Sequence, residues 1–327
     1  MTTGAQKHEE SAIADIKIGI SACLLGEKVR FDGGHKRDGY INETLSQFVQ
    51  FVPVCPEVDI GLGTPRESLR LSRDADRVRL IAPKSDTDHT TSMERYCRQK
   101  AKQLGEENLC GYIFKKDSPT CGVQRVRLYD HNGVPSKNGR GLFADAMMTR
   151  HPLLPVEEEG RLRDPRLREN FFERVFAYWR LKNVFGSRWR VGDLVRFHTS
   201  EKLLLMAHDP KAYGLLGRIV ADAKGRGRRE LIEEYETAFM EILKKLATIR
   251  KHCNVLHHVL GHFKKILTTE DRREILDIIE DFRHGHVPLV VPVTLLRHHI
   301  RRHEVTYLAG QSYLEPHPKQ LMLRNHV

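Results

Sequence analysis

The hydrophobic pattern changes period near residue 160, and that change constrains the fold more tightly than any other feature of the chain. Before it, short apolar runs alternate with turn residues. IKIGIS (16–21), VQFVPVC (49–55), VRLIAP (78–83), LCGYIFKK (109–116) and VQRVRLYD (123–130) read as strands. NETLSQF (42–48) and SMERYCRQKAKQLGEEN (92–108) read as helices, and Gly139-Arg140-Gly141 opens a last one, LFADAMMTRH. Strands alternating with helices predict an α/β domain, a mainly parallel sheet with flanking helices, over residues 1–165. Beyond it the apolar positions recur at the helical period in RLRENFFERVFAYWRLKNVF, DLVRFHTSEKLLLMAH, RRELIEEYETAFMEILKKLATI, KHCNVLHHVLGHFKKI, DRREILDIIEDFRHG and VTLLRHHIRRHEV. Breaks fall at Gly186, Asp209-Pro210, Gly225/Gly227, Thr268-Thr269 and Pro288/Pro292. Residues 166–327 are therefore expected to be all-α, with the boundary in the polar stretch EEEGRLRDP.

Charge divides at the same place. Residues 1–160 hold 23 Lys and Arg against 23 Asp and Glu, whereas residues 161–327 hold 31 against 20, so the whole net charge of +11 lies in the helical half. A basic half-chain is a candidate polyanion binder, and RNA rather than DNA is the expected partner. A solvated helical surface is the plainer reading of the same charges. No apolar run approaches the ~20 residues that cross a bilayer, and the polar N-terminus MTTGAQKHEESAIAD lacks the apolar core of an export signal. The expected location is the cytoplasm, where the six cysteines would not be structural disulfides.

Three of those cysteines, Cys23, Cys55 and Cys121, fall at or just after the carboxyl end of a predicted strand, each followed within three residues by Gly or Pro. In a parallel sheet those ends lie along one edge, where ligands bind, so the fold can gather thiols far apart in sequence. Structural zinc takes four protein ligands, commonly with paired cysteines, and no C-x-x-C pair is present. A [4Fe–4S] cluster commonly takes four cysteines; with three, one iron lacks a protein thiolate and is open to a substrate atom as a Lewis acid. Zinc, iron alone, a cluster or buried packing all remain compatible with the residues. Cys97 and Cys110 read as packing residues. In KHCNVLHHVLGHF, Cys253 with His257, or His258 with His262, has helical spacing for a metal, although a core or RNA-facing helix explains it equally.

The segments SACLLGEKVRFDGGHKR (21–37), PVCPEVDIGLGTPRE (53–67) and DSPTCGV (117–123), in that order, resemble the TudS-type thiouracil desulfidases over about residues 16–155, and the chain from about 185 resembles the YbgA-like domain. The fusion resembles a bacterial group that removes sulfur from 4-thiouridine in tRNA. The resemblance implies a [4Fe–4S] cluster held by Cys23, Cys55 and Cys121, with one iron not ligated by protein. It also implies a catalytic glutamate at Glu57 and a catalytic serine at Ser118. The implied reaction is hydrolytic: the open iron binds the thiocarbonyl sulfur, water attacks the ring carbon with Glu57 shuttling the proton, and hydrosulfide leaves without an electron donor. Without the cysteines, Glu57 would read as a helix N-terminal acid and Ser118 as a turn hydroxyl.

His35, Lys36 and Arg66 are candidate contacts to base or phosphate. In the helical half, Arg297, Arg301 and Arg302 head a cluster with His298, His299 and His303, while GRGRRE (225–230) and Lys264/Lys265 add charge. Tyr307, Tyr313 and His317 are candidate stacking groups, and Gly139-Arg140-Gly141 is a weak phosphate motif. Three readings follow: desulfuration of tRNA 4-thiouridine, desulfuration of free thiouracil or thiouridine nucleotides, or a non-catalytic iron–sulfur RNA-binding regulator.

Overall fold

The computed structural model describes residues 16–74, 77–186 and 188–327; the N-terminal stretch whose polarity argued against export lies outside them. Two compact units divide between Arg163 and Asp164.

The first unit holds a four-stranded sheet in the order β2-β1-β6-β9, made of β1 (Lys17–Ser21), β2 (Gln50–Val54), β6 (Gly111–Phe114) and β9 (Val156–Glu158). All its pairings are parallel, with Ser21 opposite Val54 and Ile18 opposite Gly111. Ile18, Ile20, Tyr112, Ile113 and Phe114 are fully buried, as strands covered on both faces require. The chain leaves β1 to pair on one side with β2 and later returns to pair on the other side with β6, so the sheet has its switch point at β1. Two helices pack beside it: α2 (Thr90–Glu106) and α3 (Leu142–Arg150), while α1 (Pro56–Asp59) is a single turn after β2. Gly19 is required within β1, because a Cβ there would stand 2.2 Å from the Tyr112 ring.

A second sheet was not anticipated. It runs β5-β4-β3-β7-β8, from β3 (Arg70–Asp74), β4 (Arg77–Ala82), β5 (Thr87–Asp88), β7 (Val126–Tyr129) and β8 (Pro135–Gly139). Its pairings are antiparallel except β3 with β7. VRLIAP and VQRVRLYD belong here and not to the parallel sheet. NETLSQF also departs from expectation: it forms a π turn (Tyr40–Thr44) and a 3₁₀ turn (Leu45–Gln47) in place of a regular helix. The Asn42 amide donates to the carbonyls of Leu24 and Asp38 (2.9 and 2.8 Å), side-chain bonds that compete with a regular ladder.

The second unit is helical, from α4 (Pro165–Phe185) through α5 (Val191–Ser200), α6 (Lys202–His208), α7 (Pro210–Ala221), α8 (Arg228–Lys244), α9 (Ile249–Gly261), α10 (Thr269–His284) and α11 (Val290–Arg302) to the short α12 (Thr306–Ala309). DLVRFHTSEKLLLMAH, read as one helix, is two. The Thr199 and Ser200 hydroxyls bond back to the carbonyls of Val195 and Phe197 (2.7 and 2.8 Å). Glu201, fully buried at the break, is clamped by Arg180 (2.6 and 3.0 Å). Asp209-Pro210, read only as a break, starts α7: the Asp209 carboxylate accepts from the N–H groups of Lys211 and Ala212, and proline occupies the first turn.

A polar cluster lies inside this unit. The buried Arg324 donates to Glu169 (2.9 Å), Glu173 (2.7 Å) and the Tyr313 carbonyl (2.5 Å), and the His208 ring lies 3.2 Å from the far oxygen of Glu173. Burial and the neighbouring Glu173 push the Glu169 carboxyl up. Burial alone would raise Glu173 too, but the hydrogen bond from His208 and the charge of Arg324 outweigh it and hold Glu173 low. No helix among the described residues is long and apolar enough to cross a membrane.

Candidate active site

The carboxyl ends of β1, β2 and β6 open onto one cavity of about 460 Å³, and Cys23, Cys55, Glu57, Arg66, Ser118 and Cys121 all line it. Cys23 sits in a 3₁₀ turn (Ala22–Leu25) that follows β1 directly. Cys55 precedes the first helical residue of α1, with Pro56 in its first turn. Cys121 ends the turn after β6, which the Ser118 hydroxyl closes by accepting from the N–H groups of Thr120 and Cys121 (3.2 and 3.1 Å). Asp117 takes a left-handed φ of 59° to start that turn.

Burial pushes the Cys23 thiol up to about 11 against the pull of Lys115. Burial likewise raises Cys55, and it raises Cys121 furthest despite the lowering pull of the neighbouring Ser21 and Thr120 hydroxyls. Cys23 and Cys121 also feel the charge of Cys55, and Cys55 feels those of Glu57 and Arg66. Among the described residues no three His, Cys, Asp or Glu side chains gather closely enough to hold a single metal ion. The three thiols line one cavity instead. Three soft donors round one cavity, with no fourth cysteine among its lining residues, suit a thiolate-bound cluster better than a four-ligand zinc.

Glu57 is held from both sides. Arg66 donates to its Oε2 through Nε (3.0 Å) and Nη2 (2.5 Å), while Thr120 Oγ1 donates to its Oε1 (2.9 Å). The same guanidinium is pinned by the carbonyls of Val29 and Gly63 (both 2.9 Å). Arg66 is thus committed to orienting Glu57, which removes it as a free contact to phosphate. Thr120 was missed by sequence reasoning, though it lies inside DSPTCGV. Its single hydroxyl proton goes to Glu57, so at 3.0 Å it accepts from Ser118. The bonds run in one direction, from Ser118 through Thr120 to Glu57. Lys115 was also missed; it lines the cavity and is balanced by Glu159 at 2.5 Å.

The Gly139-Arg140-Gly141 motif has a structural use. The N–H groups of Gly141, Leu142, Phe143 and Ala144, at the start of α3, are taken by carbonyls of Gly122, Pro119 and Thr120 (2.7–3.2 Å), leaving none for a phosphate. A Cβ on Gly141 would stand 2.5 Å from the Thr120 carbonyl and 2.7 Å from the Cys121 nitrogen. Gly141→Ala is expected to destabilise this unit by about 1–3 kcal/mol through overpacking, read as a lowered Tm of its unfolding transition and as faster thiol labelling of Cys121.

Of the other candidates, Lys36 lines the cavity, while His35 is exposed in the preceding loop and its Nδ1 accepts from the Arg37 N–H (3.2 Å). In the helical unit Arg301 and Arg302 are exposed on the last turn of α11, but Arg297 is tied to Glu315. Arg226, Arg228 and Arg229 of GRGRRE are likewise engaged, by Asp222, by the Trp189 carbonyl and by Glu233. Tyr313 and His317 are buried and cannot stack on an external base; Tyr307 is 38% exposed. His258 and His262 lie ring to ring at 5.4 Å, and neither they nor Cys253 belong to a metal-holding group among the described residues.

The fold and site define a two-part class: an α/β domain with a thiol-lined crevice at its sheet edge, and an all-α domain after it. Comparison with known proteins makes this specific. Residues 18–159 match the family described as 2-thiouracil desulfurase, and residues 202–318 match one described as a protein of unknown function (DUF1722). The uncharacterized protein YbgA of Escherichia coli strain K12 is 29% identical over 153 residues, 46% of this chain and 90% of YbgA. A solved structure titled [4Fe-4S]-dependent thiouracil desulfidase TudS is 29% identical over 46% of this chain and 94% of its own, with a TM-score of 0.37. The chain joins a TudS-type domain to a YbgA-like domain.

Proposed function

We propose that the chain is a thiopyrimidine desulfidase whose substrate is 4-thiouridine in tRNA. The observation that carries this is the convergence of Cys23, Cys55 and Cys121 with Glu57 and Ser118 on one cavity, in a domain matching the 2-thiouracil desulfurase family. Cys23, Cys55 and Cys121 would hold a [4Fe–4S] cluster, which with one iron lacking a protein thiolate supplies a Lewis acid for the thiocarbonyl sulfur.

The protein's own groups account for the proton traffic. Overall, a thiocarbonyl and water give a carbonyl and hydrogen sulfide, with no change of oxidation state at carbon. Glu57 takes the proton from the attacking water, as a positioned carboxylate within reach of a cavity can. Arg66 fixes its Oε2, so the working oxygen is Oε1, the one that Thr120 touches. Ser118 faces the same cavity, with its hydroxyl accepting from two backbone N–H groups and donating to Thr120; it holds the Thr120 hydroxyl on Glu57, which passes the water's proton on to the departing sulfur. Thr120→Val keeps the side-chain shape and removes the link. A hydrogen bond to a charged group contributes about 1.5–3 kcal/mol, so the turnover rate is expected to fall roughly 10- to 150-fold with the cluster absorbance unchanged.

Support for tRNA comes from the basic helical half and from the exposed Arg301, Arg302, Lys264 and Lys265. The test is sulfide release by the full chain, loaded without oxygen, from tRNA containing 4-thiouridine and from 4-thiouracil at matched concentrations. Turnover of tRNA that weakens steeply with salt, as phosphate contacts require, supports the reading. Turnover of the small molecule alone would move the substrate to free thiopyrimidines.

A further inference from the structure

The helical unit holds a cavity of its own, of about 360 Å³, that the chemistry described above does not use. Its walls come from α4, from the link between α8 and α9, from the first turn of α9 and from Phe282 of α10. The volume is that of a small-molecule site.

Its floor is polar and incompletely satisfied. Glu169 and Asn170 are 5% and 7% exposed. The Asn170 amide donates to the Leu243 carbonyl (2.9 Å), and Arg324 donates to Oε1 of Glu169 (2.9 Å). Asn170 Oδ1 and Glu169 Oε2 have no partner among the described residues. His252, 6% exposed, meets the Tyr313 hydroxyl through Nδ1 (3.0 Å), and its Nε2 is likewise without a partner among them. All three residues line the cavity. Buried polar atoms are nearly always hydrogen-bonded, so three open positions round one space call for an occupant that completes them. Asn170 Oδ1 and an ionised Glu169 Oε2 can only accept, so that occupant must donate. Burial and Glu173 push the Glu169 carboxyl up even beside Arg324, as befits a carboxylate with too little positive charge around it.

The rim has the opposite character. Arg166 and Arg250 line the same cavity, both are exposed, and neither guanidinium has an acidic partner among the described residues. Arg166 and Asn170 lie one turn apart on α4, about 6 Å of rise, so the cationic and the accepting parts of the site are close together. Phe282, Ile249 and Leu246 supply an apolar wall, and Leu246 is left 41% exposed.

We propose that this cavity binds a small zwitterion, an amino acid with an apolar side chain. Its ammonium meets Asn170 and Glu169, its carboxylate meets Arg166 and Arg250, and its side chain covers Leu246 and Phe282. The short separation along α4 suits a compact zwitterion and not a nucleotide, whose phosphate and base lie farther apart. The site stands apart from the desulfidase reading, because none of these residues lines the cysteine cavity.

The test is isothermal titration calorimetry of the full-length loaded protein with free leucine and phenylalanine, with leucinamide and N-acetylleucine, and with inorganic phosphate. The two zwitterions are expected to saturate one site per chain. Leucinamide lacks the carboxylate and N-acetylleucine lacks the ammonium, and each is expected to bind at least about tenfold more weakly, from the loss of a charge-assisted contact. Arg166→Gln and Arg250→Gln should each weaken leucine by at least about threefold and leave leucinamide unchanged. Both arginines are exposed, and unaltered circular dichroism confirms that the variants fold. No saturation by any zwitterion below about 10 mM leaves water as the occupant and overturns the proposal. Equal binding of leucine and its two analogues, or leucine binding unchanged in both arginine variants, also overturns it. Phosphate that binds more tightly than leucine, and loses its affinity in the same variants, assigns the rim to phosphate and overturns the amino-acid assignment.

Discussion

Cys121→Ala is expected to leave a folded protein with no stable cluster and no sulfide release, a loss of at least about 10³-fold, since Lewis-acid assistance contributes several kcal/mol. The reason lies in how the thiol is placed. Cys121 is 5% exposed, at the end of a turn whose backbone is fixed by Ser118 and by the packing of Gly141. No other described cysteine lines that cavity except Cys23 and Cys55, so no neighbouring thiol can substitute. Cys23→Ala and Cys55→Ala should behave alike. Cys97→Ala and Cys110→Ala are the controls. Both residues are buried, Cys97 in α2 and Cys110 beside the start of β6, and neither lines the cavity. These two variants should lose some stability through a small cavity and keep their iron. Iron content and sulfide release, measured on all five, separate cluster ligands from packing residues. A Cys121→Ala protein with full activity would remove the ligand role.

Glu57→Gln is expected to slow sulfide release by about 10²–10⁴-fold, the usual contribution of a positioned general base, while retaining iron. The substitution is chosen to spare the structure. Glutamine keeps an oxygen for Arg66 and keeps the side-chain shape. Alanine would leave the Arg66 guanidinium, 6% exposed, as a buried charge without its partner, at a cost of about 3–5 kcal/mol. Loss of activity in Glu57→Gln with intact cluster absorbance therefore reports chemistry and not unfolding. Unchanged turnover would assign the proton transfer to another group.

Much of the site was legible because it depends on strand ends. Ser21, Val54 and Phe114 each close an apolar run, and turn chemistry follows each one, so the position of the three cysteines along one sheet edge could be read from spacing alone. The second sheet was not legible. RLSRD in β3 and PSKNG in β8 carry no apolar alternation, and their pairing partners, not their composition, make them strands. Arg66 illustrates a different limit. A loop arginine reads as a surface charge, and only the tertiary structure reveals that its guanidinium is enclosed around Glu57. Thr120 looked like turn filler between proline and cysteine until its two hydroxyl contacts were visible. In the helical unit, Tyr313 and His317 read as candidate stacking groups, yet both are buried near Arg324, a long-range arrangement with no local signature.

The proposed activity requires that the three cysteines hold a cluster that removes sulfur. The most direct measurement is to purify the full chain without oxygen, quantify iron and acid-labile sulfide, and add tRNA containing 4-thiouridine while following its near-ultraviolet thiocarbonyl band and the sulfide released. About four irons per chain, with loss of the band matched by hydrosulfide, is the predicted result. A chain that takes up no iron after anaerobic reconstitution, or one that holds iron and leaves the band of both thiolated tRNA and free thiopyrimidines intact, would contradict it.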